Sequence, residues 1–209
     1  HLSLRRQRQM CIRDRFCAVG TLKTPPELNP KEPVELADAV SKMGLSYAVI
    51  TVVNRDDLPD GGANHYKVCI EEVAKENPGV GLELLCSDLD GNMEALDMLL
   101  DELPLRVFAH NVECVPRLDR VVRDRRASFE QSLNILRTAK EIRPDLMTKT
   151  SLMVGLGETD EEISEAMMII RAAGVDMITL GHYLQPSFRH LPVDRFPEPE
   201  CFADWDGIA

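Results

Sequence analysis

The sequence predicts an α/β fold in which helices alternate with the strands of a parallel sheet. Short apolar, β-branched runs of strand length recur along the chain, stretches with helical spacing separate them, and the connections are short. Counting these units gives about five strands joined by right-handed crossovers. The 209 residues, of which 44% are hydrophobic, are enough to bury the core of one such domain. A doubly wound sheet and a partial barrel both satisfy this alternation.

Each element follows from its local pattern. The run from Tyr47 to Val53 is typical of a strand buried on both faces, and Pro33 suits the first turn of a helix. The Thr159 hydroxyl, followed by three acids, predicts an N-cap, and Gly174 predicts the end of the same helix. In chain order the predicted elements are helix 33–43, strand 47–53, helix 64–76, strand 82–86, helix 93–103, strand 105–110, helix 128–141, strand 147–154, helix 161–173 and strand 177–180.

The composition narrows the classes of function. The formal charge of −11 and a pI near 4.9 argue against nucleic-acid binding, which needs Lys and Arg to neutralise phosphates. A small or peptide-like substrate is expected instead. No apolar run approaches the roughly 20 residues that span a bilayer, so we expect no membrane insertion. The six cysteines are scattered, unlike those of a disulfide scaffold, and a cytoplasmic protein is expected, or a mitochondrial or plastid one in a eukaryote.

The start of the chain differs in composition from the rest. The first fifteen residues contain five Arg and one Asp, whereas the remaining residues are strongly acidic. This break predicts a boundary, with residues 1–14 as a foreign or artefactual segment and residues 15–209 as one barrel domain. We expect that domain to be truncated at its C-terminus.

Polar clusters follow four of the predicted strands, at 54–57, 110–113, 155–158 and 182–185. The carboxyl edge of a parallel sheet is where ligands bind, in barrels and in open sheets alike. Polar turns that cap the next helix are the alternative reading of each cluster taken alone. The sequence therefore predicts a ligand site along this edge.

Individual residues suggest what such a site would hold. Asn111 and Glu113 offer an amide and a carboxylate that accept hydrogen bonds from ribose hydroxyls or an ammonium group. Two glycines after Met153 allow close approach of a ligand, but Asp160 occupies the place of the third glycine of a dinucleotide fingerprint, so NAD binding is not expected. Lys149 lies within a predicted strand, where a buried unpaired charge is costly, so either it points to a polar barrel mouth or the strand assignment is wrong. A basic stretch follows Glu113 and forms either a solvated helix face or a docking surface for an acidic carrier domain; it contains Arg117, Arg120, Arg123, Arg125 and Arg126.

Taken together, five segments in fixed order resemble the lipoyl synthase family. They are RFCAVGT (15–21), VITVVNRDDLPDGGANHY (49–66), FAHNVECVPRL (108–118), TKTSLMVGLGET (148–159) and YLQPSFRHLPVDRF (183–196).

The resemblance implies a fold, cofactors and a reaction. The fold is a partial (β/α)6 TIM-type barrel of the radical SAM (S-adenosyl-L-methionine) type, incomplete at its N-terminal strand. A C-x3-C-x2-C loop holds a [4Fe–4S] cluster whose open iron binds SAM, and a second, auxiliary [4Fe–4S] cluster belongs to the full-length parent. The implied reaction is radical insertion of two sulfurs at C6 and C8 of a protein-bound octanoyl-lysine. The implied partners are an octanoylated lipoyl carrier domain or glycine-cleavage H protein and an electron donor such as ferredoxin or flavodoxin, with the enzyme a monomer.

The resemblance also implies roles for individual residues. Cys17 matches the third cysteine of the cluster loop, which makes it the metal ligand. Lys149 and Glu158 match catalytic positions at the later strand ends. The residues that match cofactor-binding positions are Phe16, Thr51, Asn54, Asp56, Asn111, Glu113, Gly155, Tyr183 and Gln185.

The chain departs from the family pattern at its start. The first two cysteines of the loop are expected at 10 and 14, where this chain has Met10 and Asp14, and Cys11 is displaced by one residue. The cysteine triplet and the C-terminal serine expected for the auxiliary cluster are not found in the sequence. Two alternatives therefore stay open beside a lipoyl synthase: an inert barrel without a complete cluster site, and another radical SAM sulfur-inserting enzyme such as biotin synthase.

Overall fold

A computed structural model describes residues 14–18 and 25–207 of the chain. Five strands form one parallel sheet in the order β1-β2-β3-β4-β5, which is also their order along the chain. The sheet curls into a half-barrel, so the prediction of a partial α/β barrel is confirmed. The strands are β1 (Tyr47–Thr51), β2 (Gly81–Leu85), β3 (Val107–Ala109), β4 (Met147–Val154) and β5 (Met177–His182).

Helices cover the outer face of the half-barrel. Consecutive parallel strands need crossover connections, and helices with one apolar face provide them. They are α1 (Glu32–Met43), α2 (Ala63–Glu76), α3 (Met93–Leu100), α4 (Asp119–Val122), α5 (Phe129–Ile142), α6 (Asp160–Ala172) and α7 (Pro199–Asp206).

The core lies between the sheet and the helices. Leu82 and Leu84 of β2 and Phe108 of β3 are buried there, as is Leu152 of β4. Along β4 buried residues alternate with half-buried ones, because successive side chains point to opposite faces of a strand. The half-buried set, which includes Lys149, faces the concave side of the half-barrel. Among the described residues, β3 is thus buried on both faces, whereas β4 is fully packed on one face only.

The predicted elements are confirmed, with differences at their ends. The first strand stops at Thr51 rather than 53. The prediction that both of its faces are buried is wrong, since Tyr47 and Val49 are exposed, because β1 is an edge strand and only one of its faces packs into the core. The third strand is limited to 107–109, while Leu105 remains buried beside it. Helices α4 and α7 were not predicted; the four residues of α4 are about one turn, which is too short to show helical periodicity.

The start of α6 shows the predicted N-cap in full. The Thr159 hydroxyl accepts from the Glu162 amide at 3.3 Å, and the Glu162 carboxylate accepts from the Thr159 amide at 2.9 Å. This reciprocal capping box fixes the turn that follows β4. Gly174, at φ 80°, ends the helix as predicted. None of the helices in the described part of the chain is long and apolar enough to cross a bilayer.

Candidate functional site

A cavity of about 180 Å³ lies at the carboxyl edge of the sheet. Residues following β1, β2 and β3 line it, together with the segment 14–18. Five predicted site residues meet here: Phe16, Cys17, Asn54, Asn111 and Glu113. The structure thus has a cavity at the edge of the sheet where the sequence predicted a ligand site.

Glu113 is held in place by the neighbouring strand. Its amide donates to the Ser151 carbonyl at 3.1 Å, and its carbonyl accepts from the Met153 amide at 2.9 Å. Its φ of 70° is unusual for a residue with a side chain and marks local backbone strain. The strand contacts hold this conformation and direct the carboxyl group to the cavity.

The surroundings of Glu113 change its acidity. Burial raises the pKa of this carboxyl to about 7, and the hydrogen bond from Asn111 and the charge of Arg123 only partly oppose that effect. Near neutral pH the group therefore exists in both protonation states. It can donate or accept a hydrogen bond to a ligand in the cavity.

A buried polar network supports the cavity floor. The two ring nitrogens of His110 lie 3.0 Å from the Cys86 carbonyl and 3.0 Å from the Ser132 hydroxyl. Arg123 donates to the same hydroxyl at 3.0 Å and to the Val112 carbonyl at 3.2 Å. Burial lowers the pKa of His110, which favours the neutral imidazole. The network positions the backbone around Asn111 rather than reacting itself.

The loop after β1 is ordered by ion pairs. The buried Arg55 guanidinium pairs with the Asp57 carboxylate at 2.6 Å, which holds the pKa of Asp57 below its usual range. Asp56 pairs with Arg126 at 3.2 Å, which joins this loop to the segment that follows α4. These contacts fix the loop that places Asn54 at the cavity wall. Asp56 itself does not line the cavity.

The segment 14–18 is fastened to two distant parts of the chain. The Arg15 amide donates to the Val122 carbonyl at 2.8 Å, and the Arg15 carbonyl accepts from the Leu191 amide at 3.0 Å. The Asp14 carboxylate accepts from the Asp124 amide at 2.6 Å. These bonds place Cys17 at the cavity. Burial raises the pKa of Asp14.

The remaining predicted site residues lie outside the cavity. Lys149 pairs with the buried Glu83 at 2.8 Å on the concave face, in the first half of β4. The Glu158 carboxylate accepts from the Gly155 amide at 2.5 Å and so closes the turn after β4. Thr51 is exposed. Tyr183 is buried and its hydroxyl donates to the Leu191 carbonyl, while the Gln185 side chain donates to the His190 carbonyl.

Sequence reasoning missed the contribution of the β2 end. Cys86, Ser87 and Asp88 line the cavity, directly after β2. Asp88 is buried and accepts from Gln131 at 2.8 Å. The signal was present, because a Ser-Asp pair directly after an apolar strand is the same pattern that marked the other strand ends.

The basic stretch is not a uniform surface. Arg123 is buried in the cavity floor, whereas Arg117 donates to Glu162 and to the Gly157 carbonyl. Arg126 pairs with Asp124 and Asp56. Most of these guanidinium groups therefore serve internal contacts.

A larger cavity, of about 830 Å³, opens at the opposite edge of the sheet, around Leu103 and Leu105. Arg143 in its wall already pairs with Asp145 and donates to backbone carbonyls. None of the predicted site residues lines it. The smaller cavity is the candidate site because the strand-end polar groups converge there.

The half-barrel places the chain among α/β-barrel proteins, a class whose ligand sites lie at the carboxyl edge of the strands. The match to a family model is more specific. The chain belongs to the Radical SAM superfamily, whose model matches residues 15–170.

Curated relatives at about half identity are lipoyl synthases. The chain is 48% identical over 192 residues to the mitochondrial lipoyl synthase of Aedes aegypti, covering 92% of this chain and 49% of the relative. It is 52% identical over 194 residues to the lipoyl synthase of Halorhodospira halophila, covering 92% and 58%. The chain thus spans about half the length of the curated relatives it matches. The resemblance found in the sequence is confirmed.

Solved structures share the fold at low identity. Methylornithine synthase superposes with a TM-score of 0.70 at 17% identity, covering 92% of this chain and 55% of that one. The FeFe-hydrogenase maturase HydG from Carboxydothermus hydrogenoformans gives 0.71 at 15% identity, covering 95% and 48%. These likenesses confirm the barrel architecture.

The superfamily implies a [4Fe–4S] cluster and SAM. The side chains at the cavity show whether the described residues could ligate such a cluster. Cys17 and Cys86 are the thiols at the cavity, and burial raises the pKa of Cys86 to about 12, which favours the thiol over the thiolate. Asp14 stands at the second expected cysteine, with a carboxylate oxygen already bonded to the Asp124 amide. Iron–sulfur clusters take thiolate ligands. The described residues therefore do not fit a cluster held by three thiolates.

Proposed function

We propose that this chain is the barrel portion of a lipoyl synthase, and that the whole protein inserts two sulfurs into an octanoyl group on a carrier protein. The observation that supports this most is the joint occurrence of the five segments with about 50% identity to lipoyl synthases over 92% of the chain. The segments bring Asn54, Asn111 and Glu113 to one cavity. A single motif of this kind would be weak support, but their shared order and convergence are specific.

The cavity chemistry suits the methionyl and ribose parts of SAM. Asn54, Asn111 and Glu113 offer acceptors for an ammonium group or a ribose diol. Asp88 also lines the cavity, and a further carboxyl group there favours a cationic ligand. We propose that these side chains bind and orient SAM, with Phe16 packing beside it.

Other residues take supporting roles in this proposal. Glu158 shapes the turn after β4 by accepting from two successive amides, and Gly155 lets the chain at 195 approach closely. Lys149 sets the polarity of the concave face with Glu83. We propose that the octanoyl chain enters along this concave face, and that the carrier is a lipoyl domain or H protein in the compartment where the parent enzyme works.

One observation favours the second candidate, an inert barrel. Met10 and Asp14 stand at two expected cysteine positions, and Asp14 is already engaged with Asp124. In this second candidate function, the 209-residue chain binds SAM or a carrier without cleaving SAM. The two candidates differ in iron uptake.

The test compares the 209-residue chain with the Met10→Cys/Asp14→Cys double variant. Both are reconstituted anaerobically with iron and sulfide, and metal content and visible absorption are measured. With dithionite, SAM and an octanoyl-lysine peptide deuterated at C6, the double variant should release 5′-deoxyadenosine that contains deuterium. A deuterated biotin precursor should give none.

Each outcome separates the candidates. If the original chain stays colourless while the double variant turns brown and cleaves SAM, the whole protein is supported as a lipoyl synthase. The 209-residue chain itself is then catalytically inert. Iron uptake and SAM cleavage by the original chain would exclude the inert reading. SAM cleavage with deuterium drawn from the biotin precursor, or from neither substrate, would contradict the lipoyl assignment.

A further inference from the structure

The outer helix layer brings three metal-binding side chains together, apart from the cavity at the strand ends. Glu32 is the first residue of α1, and His65 and Cys69 lie in the first two turns of α2. Their ligand atoms all lie within 4.8 Å of one another. Within residues 14–18 and 25–207, this is the one such group of His, Cys and carboxylate residues. None of the three lines the cavity.

The local sequence explains the arrangement. His65 and Cys69 are four residues apart, so both side chains lie on the same face of α2. That face packs against α1, which delivers Glu32 from its first turn, where an acid also suits the helix dipole. Cys69 is 2% exposed and forms no disulfide, while the Glu32 and His65 side chains keep 18% and 11% exposure. A buried thiol thus lies beneath two side chains that solvent still reaches.

The Glu32 carboxylate and the Cys69 thiol both approach the same ring nitrogen of His65. His65 Nε2 lies 2.6 Å from a Glu32 carboxylate oxygen and 3.7 Å from the Cys69 sulfur. A ring nitrogen holds either one proton or one lone pair, so it fully satisfies only one of these partners. The bond to Glu32 is short, which leaves the thiol with a weak contact. A cation at the centre of the three atoms would satisfy all of them.

We propose that Glu32, His65 and Cys69 bind one Zn²⁺ ion, with water as the fourth ligand. Zinc takes sulfur, imidazole nitrogen and carboxylate oxygen in tetrahedral sites. Calcium and magnesium prefer all-oxygen sites, which excludes them here. The site is distinct from the one that the proposed function uses and does not depend on that proposal.

The observed distances fit this coordination after a small movement. Tetrahedral zinc with bonds of about 2.0 Å to nitrogen and oxygen and about 2.3 Å to sulfur places N and S about 3.5 Å apart, and N and O about 3.3 Å apart. The sulfur-to-nitrogen distance of 3.7 Å already matches. The Glu32 oxygen must retreat by less than about 1 Å, and rotation of its partly exposed side chain allows this.

Zinc at this position would join the start of α1 to the start of α2. The amino end of α2 is already fixed by Asp60, whose carboxylate accepts from the Gly62 and Asn64 amides at 3.0 Å each. The metal would add a cross-link to the helix that directly follows the loop bearing Asn54. We infer a stabilising role, in which the ion holds that loop by holding the helix behind it.

The test titrates the metal-free, reduced 209-residue chain with Zn²⁺ against a chromophoric chelator, and with Co²⁺ as a spectroscopic probe. We expect one equivalent of tight binding, and a cobalt spectrum with a thiolate charge-transfer band. Cys69→Ser and His65→Gln should each weaken binding by more than about tenfold, since the loss of even an outer-shell partner has effects of that size. Cys17→Ser and Cys201→Ser should leave this binding unchanged.

Thermal melts complete the test. Zinc should raise the melting temperature of the original chain and of Cys17→Ser, but not that of Cys69→Ser, because only a metal that binds the folded state stabilises it. If Cys69→Ser does not fold, Glu32→Gln at the exposed side of the site supplies the same comparison. Absence of stoichiometric binding, or binding that is lost in Cys17→Ser and kept in the Cys69 and His65 variants, would overturn the proposal.

Discussion

Glu113 makes the stability of the ligand-free protein depend on pH near neutrality. Burial raises the pKa of its carboxyl from the ordinary value of 4.5 to about 7. Between these two values the folded protein keeps the proton, whereas the unfolded chain has lost it. The folded state therefore binds more protons in this window, and the free energy of unfolding falls as the pH rises through it.

The size of the effect follows from the two pKa values. A difference from 4.5 to about 7 corresponds to about 3 kcal/mol at 1.36 kcal/mol per pH unit. Glu113 is half-buried, and partial contact with solvent lowers this figure, so we expect a loss of about 2 to 3 kcal/mol by pH 8. Below pH 4 the carboxyl is protonated in both states and has no effect of this kind.

The matched variant is Glu113→Gln, which keeps the shape of the side chain and removes the proton equilibrium. Urea unfolding of both proteins is followed by circular dichroism from pH 4.5 to 8. The original chain should lose about 2 to 3 kcal/mol relative to the variant across this range. Parallel pH profiles for the two proteins would refute the burial of this carboxyl.

Two further predictions concern neighbouring residues. Lys149→Met should destabilise the fold by about 1 to 3 kcal/mol in thermal melts, because it leaves the buried Glu83 carboxylate without its cation; adding Glu83→Gln should recover most of the loss, and failure of that rescue would argue against the pair. Gly155→Ala should destabilise the fold by about 2 kcal/mol or more, because φ is 102° and the new methyl would lie 2.4 Å from the Arg195 carbonyl oxygen. Gly174→Ala, with a positive φ and open space, should lose less, so equal losses would contradict the close approach.

Much of the fold could be predicted because periodicity and length report directly on burial. The β4 strand was predicted with its observed bounds, because its apolar end, Leu152 to Val154, runs directly into the glycines of the next turn. The third strand was less accurate, because Leu105 is apolar and buried without joining the sheet ladder. Hydrophobic runs show burial, whereas strand ends are set by hydrogen bonds between segments distant in sequence.

The candidate site was predictable only in part, for a related reason. Asn54, Asn111 and Glu113 were found because each follows an apolar run at a strand end. The partner of Lys149 could not be predicted, because its ion pair with Glu83 joins strands whose residues are 66 positions apart. Likewise, nothing in the local pattern of Arg123 indicated that it is buried beneath the cavity. Pairings between distant side chains are a property of the folded chain alone.

The sheet places its strands in the same order as the chain makes them. During synthesis, each new strand can therefore dock on the one that left the ribosome just before it, without waiting for a later segment. Each docking step closes only one crossover, although such parallel pairings form more slowly than local contacts. At every intermediate stage, however, one ladder edge has no neighbour yet, and such an edge pairs readily with another nascent chain. The helix that follows each strand is therefore the first element that can cover that strand during synthesis. Aggregation through the open edge is most probable if elongation slows after a strand has emerged and before its helix has.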